Sequence, residues 1–215
     1  MSFLPLVRSG AAYEDRGMTH VQVLLFDGYD ELDAVGPFEI LAAAGLRVEL
    51  VAADRPADAE VVSAHGLRAS VDAELAERPD LLVVPGGRWA QRGGAGVRAE
   101  VERGLLGPAI AARHAAGSTI ASVCTGAMLL ADAGLLDGRP AVTHRVALED
   151  LRARGADVRA DERVVDAGDV LTAGGVTAGL DLALHLVARL AGAEAARAGA
   201  IRIEHEPRPA LLAVA

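Results

Sequence analysis

Residues 119–136 read TIASVCTGAMLLADAGLL and hold the one cysteine of the chain. Thr119, Ile120 and Val123 are β-branched, the composition of a buried strand. From Thr125 onward alanine and leucine take over, which reads as a helix closed by Gly134. Cys124 falls on the seam between the two. A strand that runs straight into a helix is the building unit of a parallel α/β sheet. Such sheets collect their sites beyond the carboxyl ends of the strands.

The same alternation recurs on either side. Residues 21–26 (VQVLLF) and 81–84 (LLVV) are continuous apolar runs, as strands covered on both faces require, and 47–52 reads as a further strand. Helices are expected in a short segment ending near Ala44, with Pro37 in its first turn, and over 97–116 with a break near Gly107-Pro108. Further helices are expected over 125–133, 146–154, 177–190 and 193–201. Residues 61–62 and 67–71 suggest a hairpin around His65-Gly66; 157–159 suggests a short strand; 164–166 and 170–172 flank the turn Gly168-Asp169. The expected fold is one α/β domain over 19–203, with a mainly parallel sheet and helices on both faces. Residues 1–18 are read as a flexible N-terminal tail, with Met18 a candidate start, and 204–215 as a C-terminal tail. On this reading the loops 27–37, 85–94, 124–126 and 173–177 share the active edge of the sheet.

Composition narrows the function. The chain has 215 residues, 52% of them apolar, enough for a sizeable core, and aromatics at 3% make that core aliphatic. A net charge of −9 and a pI near 5.1 argue against nucleic acid and against an anionic membrane surface. A single cysteine excludes an intramolecular disulfide or a zinc site built on several thiolates, and fits a reducing, cytoplasmic compartment. No apolar run approaches the roughly 18 residues needed to span a bilayer, and the first 19 residues lack the apolar centre of a signal peptide.

Cys124 reads in two ways: as a small apolar residue filling the core, or as a nucleophile whose thiol is depressed by the start of a helix. In the second reading the turn resembles a nucleophile elbow, with Gly126 and Ala127 letting the helix pack close to the strand. The amide of Thr125, together with one from Gly86 or Gly87, is then placed to receive negative charge on a substrate. Asp33, on the same edge in the loop after the first strand, can share a proton with the thiol, or simply cap a helix; Glu31 competes for the role. His144 can orient the thiol or the substrate, or cap the helix that follows it. The other five histidines show no companion pattern, and no acid–histidine spacing marks a metal site. VVPGGR and TAGGVTAG match neither a phosphate-binding loop nor a dinucleotide fingerprint, so no nucleotide is implied.

Taken in order, ELDAVGPFEIL (31–41), LLVVPGG (81–87), SVCTGAMLLADAGLLDGRPAVTH (122–144) and LTAGGVTAGLDLAL (171–184) resemble the ThiJ/PfpI superfamily, relatives of the class I glutamine amidotransferases. The resemblance covers about residues 20–200. It implies a flavodoxin-like three-layer sandwich, a cysteine on a strained elbow and a homodimer. Within the superfamily the motifs are most similar to the isonitrile hydratase branch and to the amidase-like domains of AraC-type regulators. The branch implies Cys124, Asp33 and Thr125 as catalytic residues, with Gly86, Gly87 and His144 lining the substrate site. It implies a lyase that adds water to an isonitrile to give an N-substituted formamide, with no cofactor and no metal. Deglycase and glyoxalase relatives carry glutamate where this chain has Asp33. Two other expectations stand beside the first: a stand-alone ligand- or redox-sensing domain, and an enzyme acting on α-oxoaldehydes. The chain departs from close relatives at Arg145, where a tryptophan is usual, and in the longer, more basic loop GGRWAQRGGAG (86–96), which sets Arg88, Trp89 and Arg92 near the entrance.

Overall fold

The computed structural model describes residues 18–54 and 59–208. The expected tail at 1–18 lies outside them except for Met18, and of the expected tail at 204–215 only the first five residues fall within them. The strands in chain order are β1 (His20–Leu24), β2 (Arg47–Ala52), β3 (Glu60–Val62), β4 (Arg68–Ser70), β5 (Ala73–Glu74), β6 (Leu81–Val84), β7 (Thr119–Ser122), β8 (Pro140–Ala141), β9 (Asp157–Val158), β10 (Val164–Asp166) and β11 (Val170–Ala173). The helices are α1 (Glu31–Ala43), α2 (Val97–Arg103), α3 (Leu106–Ala115), α4 (Ala127–Asp132), α5 (Leu148–Ala153), α6 (Ala178–Ala191) and α7 (Ala193–Arg202).

Seven strands form one sheet in the order β10-β11-β7-β6-β1-β2-β5, and every pairing but β10–β11 is parallel. The central strands are the apolar runs of the sequence; all four residues of β6 are buried. Helices α1, α6 and α7 pack on one another, and α2, α3, α4 and α5 form a second group, giving the three layers of a flavodoxin-like fold. The 14-residue α6 buries most of its circumference, which requires partners on several sides: the sheet, α1 and α7 supply them. No helix among the described residues is long and apolar enough to cross a membrane.

Two boundaries differ from the sequence expectation, each for a local reason. α1 begins at Glu31, and Pro37 lies inside it rather than in its first turn. Asp30 caps the helix by accepting from the Leu32 amide, and the acidic first turn of Glu31 and Asp33 suits the positive helix end. Asp33, expected in a loop, therefore stands on a helix. The long helix expected over 97–116 breaks earlier than foreseen, at Gly104, whose left-handed conformation (φ 70°) terminates α2; Pro108 then sits in the first turn of α3, where no donor is needed. The hairpin expected around His65-Gly66 forms as β3 and β4. The two-residue strands β5 and β8 are additions that no sequence pattern announced.

Candidate active site

Cys124 follows β7 and adopts φ +57°, a left-handed conformation unusual for a side-chain-bearing residue, after an extended Val123. Such strain costs about 1–3 kcal/mol and persists only where the surroundings impose it. Three contacts do so here. The Cys124 amide donates to the Gly174 carbonyl (2.9 Å), the Thr143 hydroxyl donates to the Cys124 carbonyl (2.8 Å), and the Val123 amide donates to the Val84 carbonyl (3.0 Å). Gly126 completes the turn, since a Cβ there would run into the Val84 carbonyl. The backbone is thus an elbow that presents its side chain at the edge of the sheet.

Asp33 comes to the same point from the first turn of α1. It is 0% exposed, and its Oδ2 accepts from the Gly86 amide at 2.9 Å while Oδ1 has no partner. The carboxyl faces the Cys124 thiol. Burial raises the Asp33 pKa well above its ordinary value, and neighbouring Asp30 adds to the rise, against the pull of the Gly86 amide and the thiol. Burial likewise pushes the Cys124 thiol up to about 12, with Asp33 the next cause. Burial thus favours the protonated form of both groups. This corrects the expectation of a thiol depressed by a helix start: α4 is only six residues long and begins three residues beyond the cysteine, so desolvation wins.

The donors around the sulfur also differ from expectation. The Gly86 and Gly87 amides, read from the sequence as candidate oxyanion donors, are already engaged: Gly86 holds Asp33, and Gly87 donates to Thr125 Oγ1 at 2.9 Å. The amides that favour a thiolate are those of Val176 and Thr125. Val176 was invisible to sequence reading because it acts through its backbone, which any residue supplies. Its φ of +31° is the one trace of a constraint.

A cleft of about 450 Å³ opens above Cys124 and Thr125, within the range of small-molecule sites. Asp30, Trp89, His144 and Val176 line it, so all four loops of the expected active edge contribute. The hairpin tip at Ala64 and His65 adds a wall that the sequence did not assign to the site. His144 Nδ1 accepts from the Val146 amide (3.2 Å). Burial, then Arg145, lowers the imidazole's pKa, which keeps the ring neutral with its proton on Nε2. Arg145 is exposed, and Val146 beside it lines the cleft. Trp89 is buried, donates from Nε1 to Asp150 at 2.6 Å and carries the Arg98 guanidinium 4.2 Å above its ring. Arg88 lines the cleft and donates to the Ala64 carbonyl, whereas Arg92 is exposed and outside its lining.

Glu31, the competitor to Asp33, turns away. Burial acts to raise its pKa, but hydrogen bonds from Ser63 and His65 outweigh that and hold it down at about 2. The His65 amide (2.8 Å) and ring Nδ1 (2.7 Å) both reach it. Among the described residues, Asp30, Glu31 and His65 are the acid–histidine group whose ligand atoms lie within 4.8 Å of one another, a cluster that linear spacing did not reveal. Their donors and acceptors largely satisfy each other.

A cysteine on a strained elbow, faced by a buried carboxylic acid at the edge of a parallel sheet, defines a cysteine–acid site of the flavodoxin-like α/β class. The chain belongs to the DJ-1/PfpI family, whose model matches residues 19–189. It is 35% identical over 189 residues to an isonitrile hydratase of Pseudomonas putida, spanning 86% of this chain and 78% of that protein. It is 29% identical over 153 residues to a deglycase of Thermococcus kodakarensis, 68% of this chain and 84% of that one. A solved ThiJ/PfpI family protein from Pseudomonas syringae shares the fold with a TM-score of 0.78 at 28% identity, covering 95% of this chain and 84% of its own. The family includes enzymes.

Proposed function

We propose that the protein is a cysteine-dependent enzyme that adds water to an isonitrile to give an N-substituted formamide. The observation that carries the reading is the buried Asp33 carboxyl set against Cys124: Asp33 Oδ2 is anchored by Gly86, and its unpartnered Oδ1 is free to move a proton. An isonitrile carbon accepts a nucleophile only when a proton arrives with it, so an acid whose proton is favoured by burial suits the reaction.

In the first step the Cys124 sulfur bonds to the terminal carbon of R–N≡C. Asp33 delivers a proton to that carbon and takes up the thiol proton, giving the thioimidate R–N=CH–S–Cys124 with the carboxyl again neutral. Water then adds to the carbon as its proton passes through Asp33 to nitrogen. The resulting R–NH–CH(OH)–S–Cys124 collapses: the C–S bond breaks, the hydroxyl proton returns to sulfur, and R–NH–CHO leaves. The Thr125 hydroxyl, fixed by the Gly87 amide, and the neutral His144 Nε2–H orient the substrate and the water.

The isonitrile hydratase relative supports the substrate class, and so does an aspartate at position 33. Burial of the thiol, and the rise in pKa it causes, favour this reading over redox sensing, since sensor thiols are exposed and low in pKa. The test is incubation of the purified protein with a panel of alkyl and aryl isonitriles, following the formamide proton by NMR. Formamide at catalytic yield is the expected result. None from any isonitrile, with lactate from methylglyoxal instead, overturns this reading in favour of α-oxoaldehyde chemistry.

A further inference from the structure

The elbow needs a support behind it, because the groups that hold Cys124 from the α6 side all belong to the short loop 174–177. Gly174 accepts from the Cys124 amide, and the Val176 amide addresses the sulfur while the residue sits at φ +31°. The loop's carbonyls are tied to the start of α6, the Ala178 amide donating to Gly175 and the Gly179 amide to Val176. A second tie, to both ends of the loop, comes from Arg163, the residue just before β10. Its carbonyl accepts from the Gly174 amide at 2.9 Å. Its guanidinium reaches round to Asp181, with Nη2 at 2.5 Å and Nε at 2.6 Å from Oδ2, and donates from Nη2 to Thr177 Oγ1 at 3.3 Å. Asp181 lies in the first turn of α6 with its side chain 2% exposed, and His205 reaches its other oxygen at 3.1 Å. One residue thereby clamps both ends of the loop: the Gly174 end through its backbone, the Thr177 end and the start of α6 through its planar fork.

We propose that Arg163, through its ion pair with Asp181, is a positioning residue that aims the Val176 amide at the Cys124 sulfur. The inference rests on Cys124 being the reacting thiol but not on the identity of the substrate. The charged groups that face the sulfur, Asp33 and Asp30, lie on α1 and just before it, and they do not touch the clamp. Loosening the clamp therefore removes stabilisation of the thiolate without changing the charges around it. Lysine in place of Arg163 keeps the cation but cannot bridge Thr177 and Asp181 with a rigid fork.

The test uses the full chain in two variants. Arg163→Lys retains the charge, and the double variant Arg163→Met with Asp181→Leu removes both charges, so that no buried carboxylate is left without its cation. Two readouts are taken, and neither uses an isonitrile: the rate of Cys124 alkylation by iodoacetamide against pH, and the proton shift of the Val176 amide in a ¹⁵N-labelled sample. Below the thiol's pKa the rate follows the thiolate fraction. The double variant is expected to react about tenfold more slowly throughout the range below the thiol's pKa, the equivalent of one pKa unit. Arg163→Lys should fall between it and the parent, and the Val176 amide proton should move upfield in both. A folded double variant whose rate profile and Val176 shift match the parent's overturns the proposal. So does loss of folding in both variants, which would make the pair a support of the whole domain rather than of the loop. Absence of formamide production by the parent leaves these outcomes untouched and bears only on the substrate.

Discussion

Glu31 and Asp33 stand two residues apart on the same turn of α1, yet they end in opposite states. Glu31 points to the β3–β4 hairpin, where Ser63, the His65 amide and the His65 ring supply donors, and it remains an ion down to about pH 2. Asp33 points into the core, where one amide donor and a thiol cannot offset the loss of water, and its protonated form is favoured. The lesson is that donor count measured against burial decides protonation, while residue type and sequence distance do not. The first carboxylate holds a loop, and the second, in the proposed reaction, moves a proton.

The sharpest way to break this contrast is to remove the partner of the second. Cys124→Ala is expected to abolish formamide production in the NMR assay; residual turnover within tenfold of the parent would remove the covalent step. Next comes Asp33→Asn, which keeps a side-chain oxygen for Gly86 but cannot carry the proton. Turnover should fall about 10²–10⁴-fold. Its stability should move the other way. Because the native pKa of Asp33 lies above its ordinary value of 3.8, folding takes up a proton, and the parent loses stability as pH rises from about 4 toward that native pKa. Asp33→Asn should therefore melt higher than the parent at pH 7, with the gap closing below about pH 4 in thermal scans.

Smaller effects follow. Gly86→Ala places a methyl group 2.5 Å from the Thr125 amide and 2.9 Å from Asp33 Oδ2, so the elbow must shift. Chemical denaturation should show a loss of about 1–3 kcal/mol, the usual cost of overpacking, along with reduced turnover. Glu31→Gln tests the other half of the comparison and should leave turnover nearly unchanged. With its native pKa near 2 against an ordinary 4.5, Glu31 stabilises the fold above pH 4.5, and that contribution fades as pH falls toward 2. The variant should melt below the parent at pH 7 and match it near pH 2. A large loss of activity with Glu31→Gln would erase the division of roles.

The parts of this arrangement visible in the sequence are those carried by local composition. Apolar runs marked β1, β6 and β7, and the step from β-branched to small residues marked the elbow. The site residues Asp33, Cys124, Thr125 and His144 meet at one cleft or directly beneath it, as the strand-end rule required. The hidden parts depend on tertiary contact. Whether Cys124 is raised or lowered turns on burial, which no neighbour in sequence reports. The Val176 contribution comes from a peptide N–H, and the Glu31–His65 bond joins residues 34 positions apart. The start of α1 was misplaced because Pro37 looks like a helix opening, although Asp30 provides the actual cap.

Gly86 and Gly87 follow one another just beyond β6, one holding the Asp33 carboxyl and the next the Thr125 hydroxyl. In the proposed reaction, the acid and the hydroxyl thus hang from adjoining peptide planes. A change that moves this segment, from a substitution or from a ligand pressing on the cleft, therefore reaches Asp33 and Thr125 together rather than one at a time.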